Sequence, residues 1–316
     1  MTTLVRLQLQ QLADQLAGGF DSYRASEGPL PGFTPEYREC LIRQLVDSSR
    51  VNNYLEYLRT HSLSSAAADP SDPWFDPVKA AVIRHRQGDE DEAFWLVFLR
   101  TQFAKHRKAG WRYAREVYGA LGSAEPWTWH RVVADLDGFR DWLDAHQSQL
   151  SDPSLPHGFG NHRKYESLAG WNGKGTGSVV ASYVAWVGQP PEHRIRFGAV
   201  LASAEGDPQV AFDVLYRSMT AVHRFGRLAR FDYLSTIGKL GLAPVQPGKA
   251  YLQGSTGPLR GARLLFQVPG EPGLTTAALE DRTARLQASL GVRFDVLEDA
   301  LCNWQKSPAE FKPFRG

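Results

Sequence analysis

The sequence has little cysteine, almost no excess of one charge and no long apolar run. Cysteine occurs only twice in 316 residues, at Cys40 and Cys302, which is too few for a disulfide-rich scaffold or a zinc cluster. Lys and Arg number 36 against 34 Asp and Glu, a net charge of +2. The chain is therefore not a general polycation, although a local basic surface is still open to it.

No stretch approaches the ~18 consecutive apolar residues that a membrane-spanning helix requires, so no contact with a membrane is predicted. The N-terminal residues also lack the basic and apolar regions of a signal peptide. We therefore expect a protein of a reducing cytoplasm.

Aromatic and helix-forming residues are abundant. Nine Trp, 16 Phe and 11 Tyr indicate a sizeable core with several aromatic anchors. Apolar residues mostly recur at helical spacing, and no series of strands is visible, so we predict an all-α, multi-helical fold. The Pro/Gly-rich break at 151–160 divides the prediction into an N-terminal helical subdomain, 1–150, and a C-terminal one, 151–316, unless the two form one continuous domain.

Local signals predict several helix boundaries. Thr34-Pro35-Glu36 and Asp76-Pro77 each place a capping side chain before a proline, as at a helix start. Residues 89–108 begin acidic, end basic and are apolar on every side in the middle, which predicts a central buried helix. Glu92 and Arg100 flank this apolar run, where a charge needs a partner or a function. Further helices are predicted over 161–171, 209–225, 275–290 and 293–306, with 243–262 as an ordered Gly/Pro-rich loop.

Residues 173–181, GKGTGSVVA, form the clearest turn motif. They lack the spacing of a P-loop and follow a helix-like segment rather than the strand of a Rossmann turn. The outline that remains is a helix-hairpin-helix. In such a hairpin Gly175 and Gly177 let the backbone approach a DNA phosphate, with a positive φ available to glycine, and N–H groups at the next helix start bind it. The alternative is a glycine-rich connector between core helices.

Two basic segments are candidates for contact with DNA. His162, Arg163 and Lys164 follow a flexible loop and suit a helix start that faces phosphate, whereas the alternative is a solvated helix end. In residues 223–233, arginines interleave with aromatic side chains, as on nucleic-acid surfaces, and the alternative is a set of surface ion pairs. The candidates on one helical face of this segment are Arg227, Arg230 and Tyr233.

Two more segments, near the C-terminus, carry candidate site residues. The loop 253–263 combines glycines, hydroxyls and the two cations Arg260 and Arg263, a composition suited to anions; the alternative is a structural Ω-loop. Glu298 and Asp299 lie inside an apolar helix and could supply a general base, with capping and a surface face as the alternative. The histidines have no ligand spacing, so no metal site is predicted.

Seven segments, taken in order, resemble the alpha-glutamyl/putrescinyl thymine pyrophosphorylase family in its third clade. They are FDPVKAA, DEAFWLVFLRTQFAKH, GNHRKYESL, GTGSVVASYVAWV, FGRLARFDYL, STGPLRGARLLF and LEDALCNWQKSP. This family belongs to DNA hypermodification systems of phages and bacteria and is regarded as a relative of helix-hairpin-helix DNA glycosylases. The resemblance therefore implies a DNA-glycosylase-like fold and a bacterial or phage-infected cell.

The resemblance also implies a reaction. A separate kinase first converts 5-hydroxymethyluracil in double-stranded DNA to a pyrophosphate ester, and this enzyme then replaces pyrophosphate with the amine of an amino acid or polyamine. No cofactor is required by the sequence, although Mg²⁺ is compatible with a pyrophosphate substrate, which is a hard oxygen ligand. The modified base is expected to leave the stack to be reached.

Chemistry, rather than the resemblance, suggests the residue roles. A departing pyrophosphate needs cations, and the candidates are Arg227, Arg230, Arg260 and Arg263. The incoming amine needs a base, for which Asp232 ranks before Glu298 and Asp299 because it lies on the same segment as two of the arginines.

Two other functions stay open. One is a glycosylase that excises a modified base, which is disfavoured because the region after the hairpin, GQPPEHRIRF, contains no aspartate and only Glu192 as a weak substitute. The other is a non-catalytic module that recognises modified DNA. Release of pyrophosphate without loss of the base distinguishes the transferase from both.

Overall fold

The structure, a computed structural model, describes residues 3–313 and is built from helices. Within that range the chain forms fourteen α-helices, four short 3₁₀ turns and no β-strand, which confirms the all-α prediction. None of the helices described is both long and apolar enough to cross a bilayer. The helices pack into two compact units, the first formed by residues 3–55 with 247–313 and the second by residues 56–246. This grouping differs from the predicted division after residue 150, since the break at 151–160 lies inside the second unit.

The first unit is made by the two ends of the chain. Its helices are α1 (Thr3–Glu27), most of α2 (Pro35–Thr60), α12 (Gly257–Phe266), α13 (Thr276–Leu290) and α14 (Phe294–Trp304). α1 packs on α13 and α12 packs on α14, around a core that includes Phe20 and Trp304. Gly261 permits the close approach of α12 to α14, because a Cβ there would lie only 2.4 Å from the Leu301 carbonyl oxygen.

The second unit surrounds one buried helix. Its helices are α3 (Pro77–Arg86), α4 (Glu90–Phe103), α5 (Arg112–Tyr118), α6 (Trp129–Ala134), α7 (Leu136–Leu150), α8 (Thr176–Val187), α9 (His193–Ser203), α10 (Pro208–Ser218) and α11 (Arg227–Leu240). Residues 92–99 of α4 are all buried, and α3, α5, α6, α9 and α11 contact this helix. The prediction of a central buried helix is therefore confirmed. Its apolar circumference is the reason, since no side of such a helix is stable in water.

The predicted helix starts are formed by the expected caps. The Asp76 carboxylate accepts hydrogen bonds from the N–H groups of Val78, at 2.9 Å, and Lys79, at 3.2 Å. The Thr34 hydroxyl accepts from Tyr37 N–H at 3.2 Å. Both caps satisfy donors that have no partner inside the helix.

The prediction of a helix over 161–171 is wrong, and with it the first arm of the predicted hairpin. Only one 3₁₀ turn forms, at Asn161–Arg163. The chain then extends so that Ser167 pairs with Gly175 in an isolated parallel bridge. Gly170 fits only without a side chain, because its Cβ would lie 1.9 Å from the Arg140 carbonyl oxygen. Tertiary packing on α7 thus determines the backbone here, against a charged sequence that local propensity leaves free to form a helix.

Two other predicted segments differ in the structure, and one helix was not predicted. The helix predicted over 209–225 ends at Ser218, followed by a 3₁₀ turn and by Arg224 with a positive φ of 57°. The predicted loop 243–262 ends sooner, since α12 begins at Gly257 with Pro258 in its first turn. The long helix α1 was not predicted, because its polar sequence has a weak apolar stripe.

Candidate functional site

The most distinctive polar feature of the second unit is an ion pair at its central helix. Arg100 on α4 donates a hydrogen bond to the Asp232 carboxylate on α11, and the same guanidinium lies 3.4 Å from the Thr236 hydroxyl. The side chains of Arg100 and Asp232 nevertheless keep 25% and 42% of their surface exposed. The pair is therefore anchored on the two helices that form the core, yet reachable by a ligand from solvent.

Charge controls the ionisation of this carboxylate. Burial within the unit would raise the pKa of Asp232, but the Arg100 guanidinium, with smaller effects from Lys239 and His162, holds the pKa of Asp232 below its ordinary value. Asp232 is thus ionised at neutral pH, and it is a weaker proton acceptor than the sequence suggested. A carboxylate of this kind is better suited to bind a cation than to remove a proton.

A second acid also favours the charged form of Arg100. Burial would lower the pKa of Arg100, but Asp232 and, more weakly, Asp76 raise it. Asp76 is the cap of α3 and also accepts from the Trp111 indole N–H at 3.1 Å. The guanidinium therefore keeps its charge in an environment that would otherwise disfavour a cation.

The three residues of the predicted basic segment 162–164 differ in their exposure to solvent. His162 and Lys164 are exposed, and His162 lies near enough to Asp232 to affect its ionisation. Arg163 is buried instead, so its predicted contact with DNA is contradicted. Its guanidinium donates to the Gln102 carbonyl at 3.2 Å, to the Gln102 side chain, and to the Arg224 carbonyl at 2.8 Å. Arg163 therefore fixes the 3₁₀ turn against the C-terminal end of α4.

Gly175 and Gly177 pack closely against the backbone of neighbouring residues in the same unit. A Cβ at Gly175 would lie 2.1 Å from the Ala169 carbonyl oxygen, and one at Gly177 would lie 2.1 Å from that of Gly170. Both glycines are buried, and neither has a positive φ.

The N–H groups at the start of α8 are also occupied. Gly175 donates to Asn172 at 2.8 Å, Thr176 to Ser167 at 2.9 Å and Gly177 to Ala169 at 3.1 Å, in each case to the backbone carbonyl. The expected phosphate cradle is therefore contradicted for these three groups, and the packing of α8 explains the glycines.

The side chains on α11 diverge, because residues two positions apart point to nearly opposite sides of a helix. Arg230 donates to the Tyr216 carbonyl at 3.1 Å and lies over the Tyr216 ring, 4.4 Å from its centroid. Arg227 lies over Phe231, 4.8 Å from its centroid. Arg230 thus faces α10, whereas Asp232 faces α4, so the structure does not place them in one cluster.

Tyr233 is fully buried, which contradicts its predicted contact with DNA. Its hydroxyl lies 2.7 Å from that of Tyr183, which lies 2.7 Å from His193 Nε2. His193 Nδ1 and Asp91 Oδ1 are also 2.7 Å apart. This buried polar chain is absent from the sequence-based candidates, since its members are far apart in sequence and their hydrogen bonds arise only on folding.

The remaining predicted residues belong to the first unit. Arg260 and Arg263 are exposed on α12. Glu298 is buried on α14. Asp299 accepts from the Ser48 hydroxyl at 2.7 Å and from the Asn303 amide at 3.0 Å. The four therefore belong to a different unit from Asp232, and their proposed roles stay predictions.

Two further features limit the choice of site. A groove of about 420 Å³ is lined by residues of α8, among them Trp186, together with Arg140 and His223, and its lining includes no carboxylate that could hold an amine. Among the described residues, no three His, Cys, Asp or Glu side chains come together as a metal site. The accessible pair of Arg100 and Asp232 is therefore the best-defined candidate site. The sequence marks Arg100 only as a charge in need of a partner, and the structure identifies that partner.

Comparison with known proteins adds the family. Neither the curated proteins nor the solved structures contain a significant match to this chain. A family model, alpha-glutamyl/putrescinyl thymine pyrophosphorylase clade 3, matches residues 36–316. That range includes both helices of the Arg100–Asp232 pair and nearly the whole chain, which confirms the resemblance seen in the seven segments. The chain belongs to the alpha-glutamyl/putrescinyl thymine pyrophosphorylase family, clade 3.

Proposed function

We propose that the protein is a transferase that replaces the pyrophosphate of 5-(pyrophosphoryloxymethyl)uracil in DNA with an amine from an amino acid or a polyamine. The family name connects the chain to thymine hypermodification and pyrophosphate. The observation that carries the proposal is the accessible ion pair of Arg100 and Asp232 on buried helices. A reaction that expels pyrophosphate and admits an amine needs a cationic group and a hydrogen-bond acceptor at the same place.

The bond changes are those of a substitution at the C5 methylene. The C–O bond to pyrophosphate breaks, and pyrophosphate leaves with the electron pair. A C–N bond forms to the amine, and the nitrogen loses one proton to solvent. The glycosidic bond is untouched, so the base remains in the DNA.

The ion pair supplies a binding group for each partner. The pyrophosphate oxygens compete with Asp232 for the planar guanidinium of Arg100, which is suited to bidentate contact with phosphate. Once Arg100 engages the anion, Asp232 can hold and orient the incoming amine. Charge developing on the leaving group is then stabilised by donors already in place.

The lowered pKa of Asp232 determines the pH dependence that we expect. Because the carboxylate is already ionised near neutrality, its titration does not limit the rate there. The amine attacks only as the free base, so the rate should rise with pH as the unprotonated amine becomes more abundant. Asp232 then contributes through orientation of the amine, which corrects the role of strong base suggested by the sequence.

The test uses a duplex with one 5-(pyrophosphoryloxymethyl)uracil, a pool of amino acids and polyamines, and mass spectrometry of the nucleosides. Wild-type protein should release pyrophosphate and yield an amine adduct. Asp232→Asn should bind the duplex normally but incorporate amine about 10²-fold more slowly. Asp281→Asn is a matched control, because Asp281 forms an exposed ion pair with Arg285 in the first unit. Wild-type kinetics for Asp232→Asn would contradict the assignment.

The same assay separates the alternatives. An abasic site with a free modified base would identify a glycosylase, for which an ionised Asp232 would stabilise a sugar cation. Binding of the duplex with no product of either kind would favour a module that only recognises modified DNA.

A further inference from the structure

A basic turn that follows the central helix carries charge that the described residues do not neutralise. Lys105, Arg107 and Lys108 are all exposed, and none of them forms an ion pair within residues 3–313. Arg224, in the basic segment 223–233, differs in this respect. The Arg224 guanidinium contacts both oxygens of Glu166, at 2.7 and 3.1 Å.

The turn is held in one conformation by its own hydrogen bonds. His106 and Gly110 exchange two backbone hydrogen bonds of 2.9 Å each. The His106 ring nitrogen Nδ1 accepts from the N–H groups of Lys108, at 3.3 Å, and Ala109, at 3.0 Å. Gly110 supplies the positive φ, 59°, that closes the turn. A preorganised turn loses little conformational freedom when its side chains bind a partner.

Packing places this turn beside the candidate site. Gly160 N–H donates to the Phe103 carbonyl at 2.8 Å, and a Cβ at Gly160 would lie 2.8 Å from the Lys105 carbonyl oxygen. The residues after Gly160 form the 3₁₀ turn that carries His162, and Arg163 in this turn donates to the carbonyl of Gln102, two residues after Arg100 on α4. The basic turn and the candidate site are therefore joined through one short segment of backbone.

We propose that residues 105–108 bind the phosphate backbone of DNA and position the duplex beside Asp232. Lysine and arginine side chains that project from a fixed turn and have no acidic partner suit phosphate groups, and such contacts orient DNA without reading its sequence. The role in presenting a modified thymine rests on the proposed function, but the contact itself can be measured on unmodified DNA.

The test compares the salt dependence of binding to an unmodified duplex. Each phosphate contact contributes ~0.9 to the slope of log Kd against log salt concentration. The triple variant Lys105→Gln, Arg107→Gln and Lys108→Gln should reduce that slope by about 2–3 with an unchanged melting temperature. A matched control replaces three exposed arginines elsewhere with glutamine: Arg24, Arg194 and Arg217. Its slope should remain close to that of the wild type.

An unchanged slope in the triple variant, or an equal loss in the control, would overturn the proposal. So would binding of the wild type to phosphatidylserine vesicles but not to DNA, since the turn would then be a surface for anionic lipid. If the slope of log Kd against log salt concentration falls in the triple variant but the wild type forms no amine adduct on modified DNA, the proposed reaction is wrong. The proposed DNA-binding surface is then still supported.

Discussion

The stability of the second unit should depend on the ionisation of one buried carboxyl, Glu92. Glu92 is 4% exposed and lies on the central helix α4. Burial raises its pKa to about 7 from a reference value of 4.5, although the neighbouring Tyr118 and the hydrogen bond from the Trp129 N–H oppose this effect. The Trp129 N–H lies 2.7 Å from Glu92 Oε2, at the start of α6.

The direction in which stability changes with pH follows from whether the folded or the unfolded chain holds the proton. Between pH 4.5 and 7 the folded chain keeps a proton on Glu92 that the unfolded chain has released, so the free energy of unfolding falls as the pH rises through this range. The pKa difference of about 2.5 corresponds to ~3 kcal/mol, at 1.36 kcal/mol per unit. This contribution is fully present below pH 4.5 and lost above pH 7.

Glu92→Gln removes the titration while keeping an oxygen that can accept from Trp129. The free energy of unfolding would be measured by urea denaturation with Trp fluorescence, at pH values from 4.5 to 8.5. The variant should gain stability relative to the wild type as the pH rises, reaching ~3 kcal/mol above pH 7. Glu90→Gln, on the exposed side of the same first turn, should show no such trend. A constant difference between Glu92→Gln and wild type at all pH values would refute the reasoning.

Three further outcomes are expected. Gly177→Ala should destabilise the fold by ~1–3 kcal/mol in thermal melting, since its Cβ would lie 2.1 Å from a carbonyl oxygen. Normal melting with reduced DNA affinity would instead support the predicted contact of this turn with a DNA phosphate. Tyr183→Phe should lower the free energy of unfolding by ~1–3 kcal/mol, because the buried Tyr233 hydroxyl loses a hydrogen-bond partner 2.7 Å away. An unchanged urea denaturation curve would contradict this. Arg230→Ala should lower the free energy of unfolding by ~1 kcal/mol through loss of its contacts with Tyr216, and it should leave adduct formation nearly intact. A large loss of rate at unchanged stability would instead place Arg230 in the site.

The secondary structure could be predicted where one local signal was strong. Asp76 before a proline determines the start of α3, and the apolar run of α4 requires burial on every side, whatever surrounds it. The family could also be identified, because seven short segments in order are specific even when no one segment is. These features depend on residues that are close in sequence, and so they are present in the chain before it folds.

The candidate site depends on contacts that span the chain. Asp232 is a candidate from its own segment alone, but its partner Arg100 is 132 positions away, and only the packing of α11 on α4 brings them together. The same packing turns Arg230 toward α10 and buries Arg163. Charge in a sequence therefore does not reveal whether a side chain meets solvent or another residue. The basic turn at 105–108 shows the converse, since only the structure reveals that its three cations form no ion pair within the described residues, whereas Arg224 is paired with Glu166.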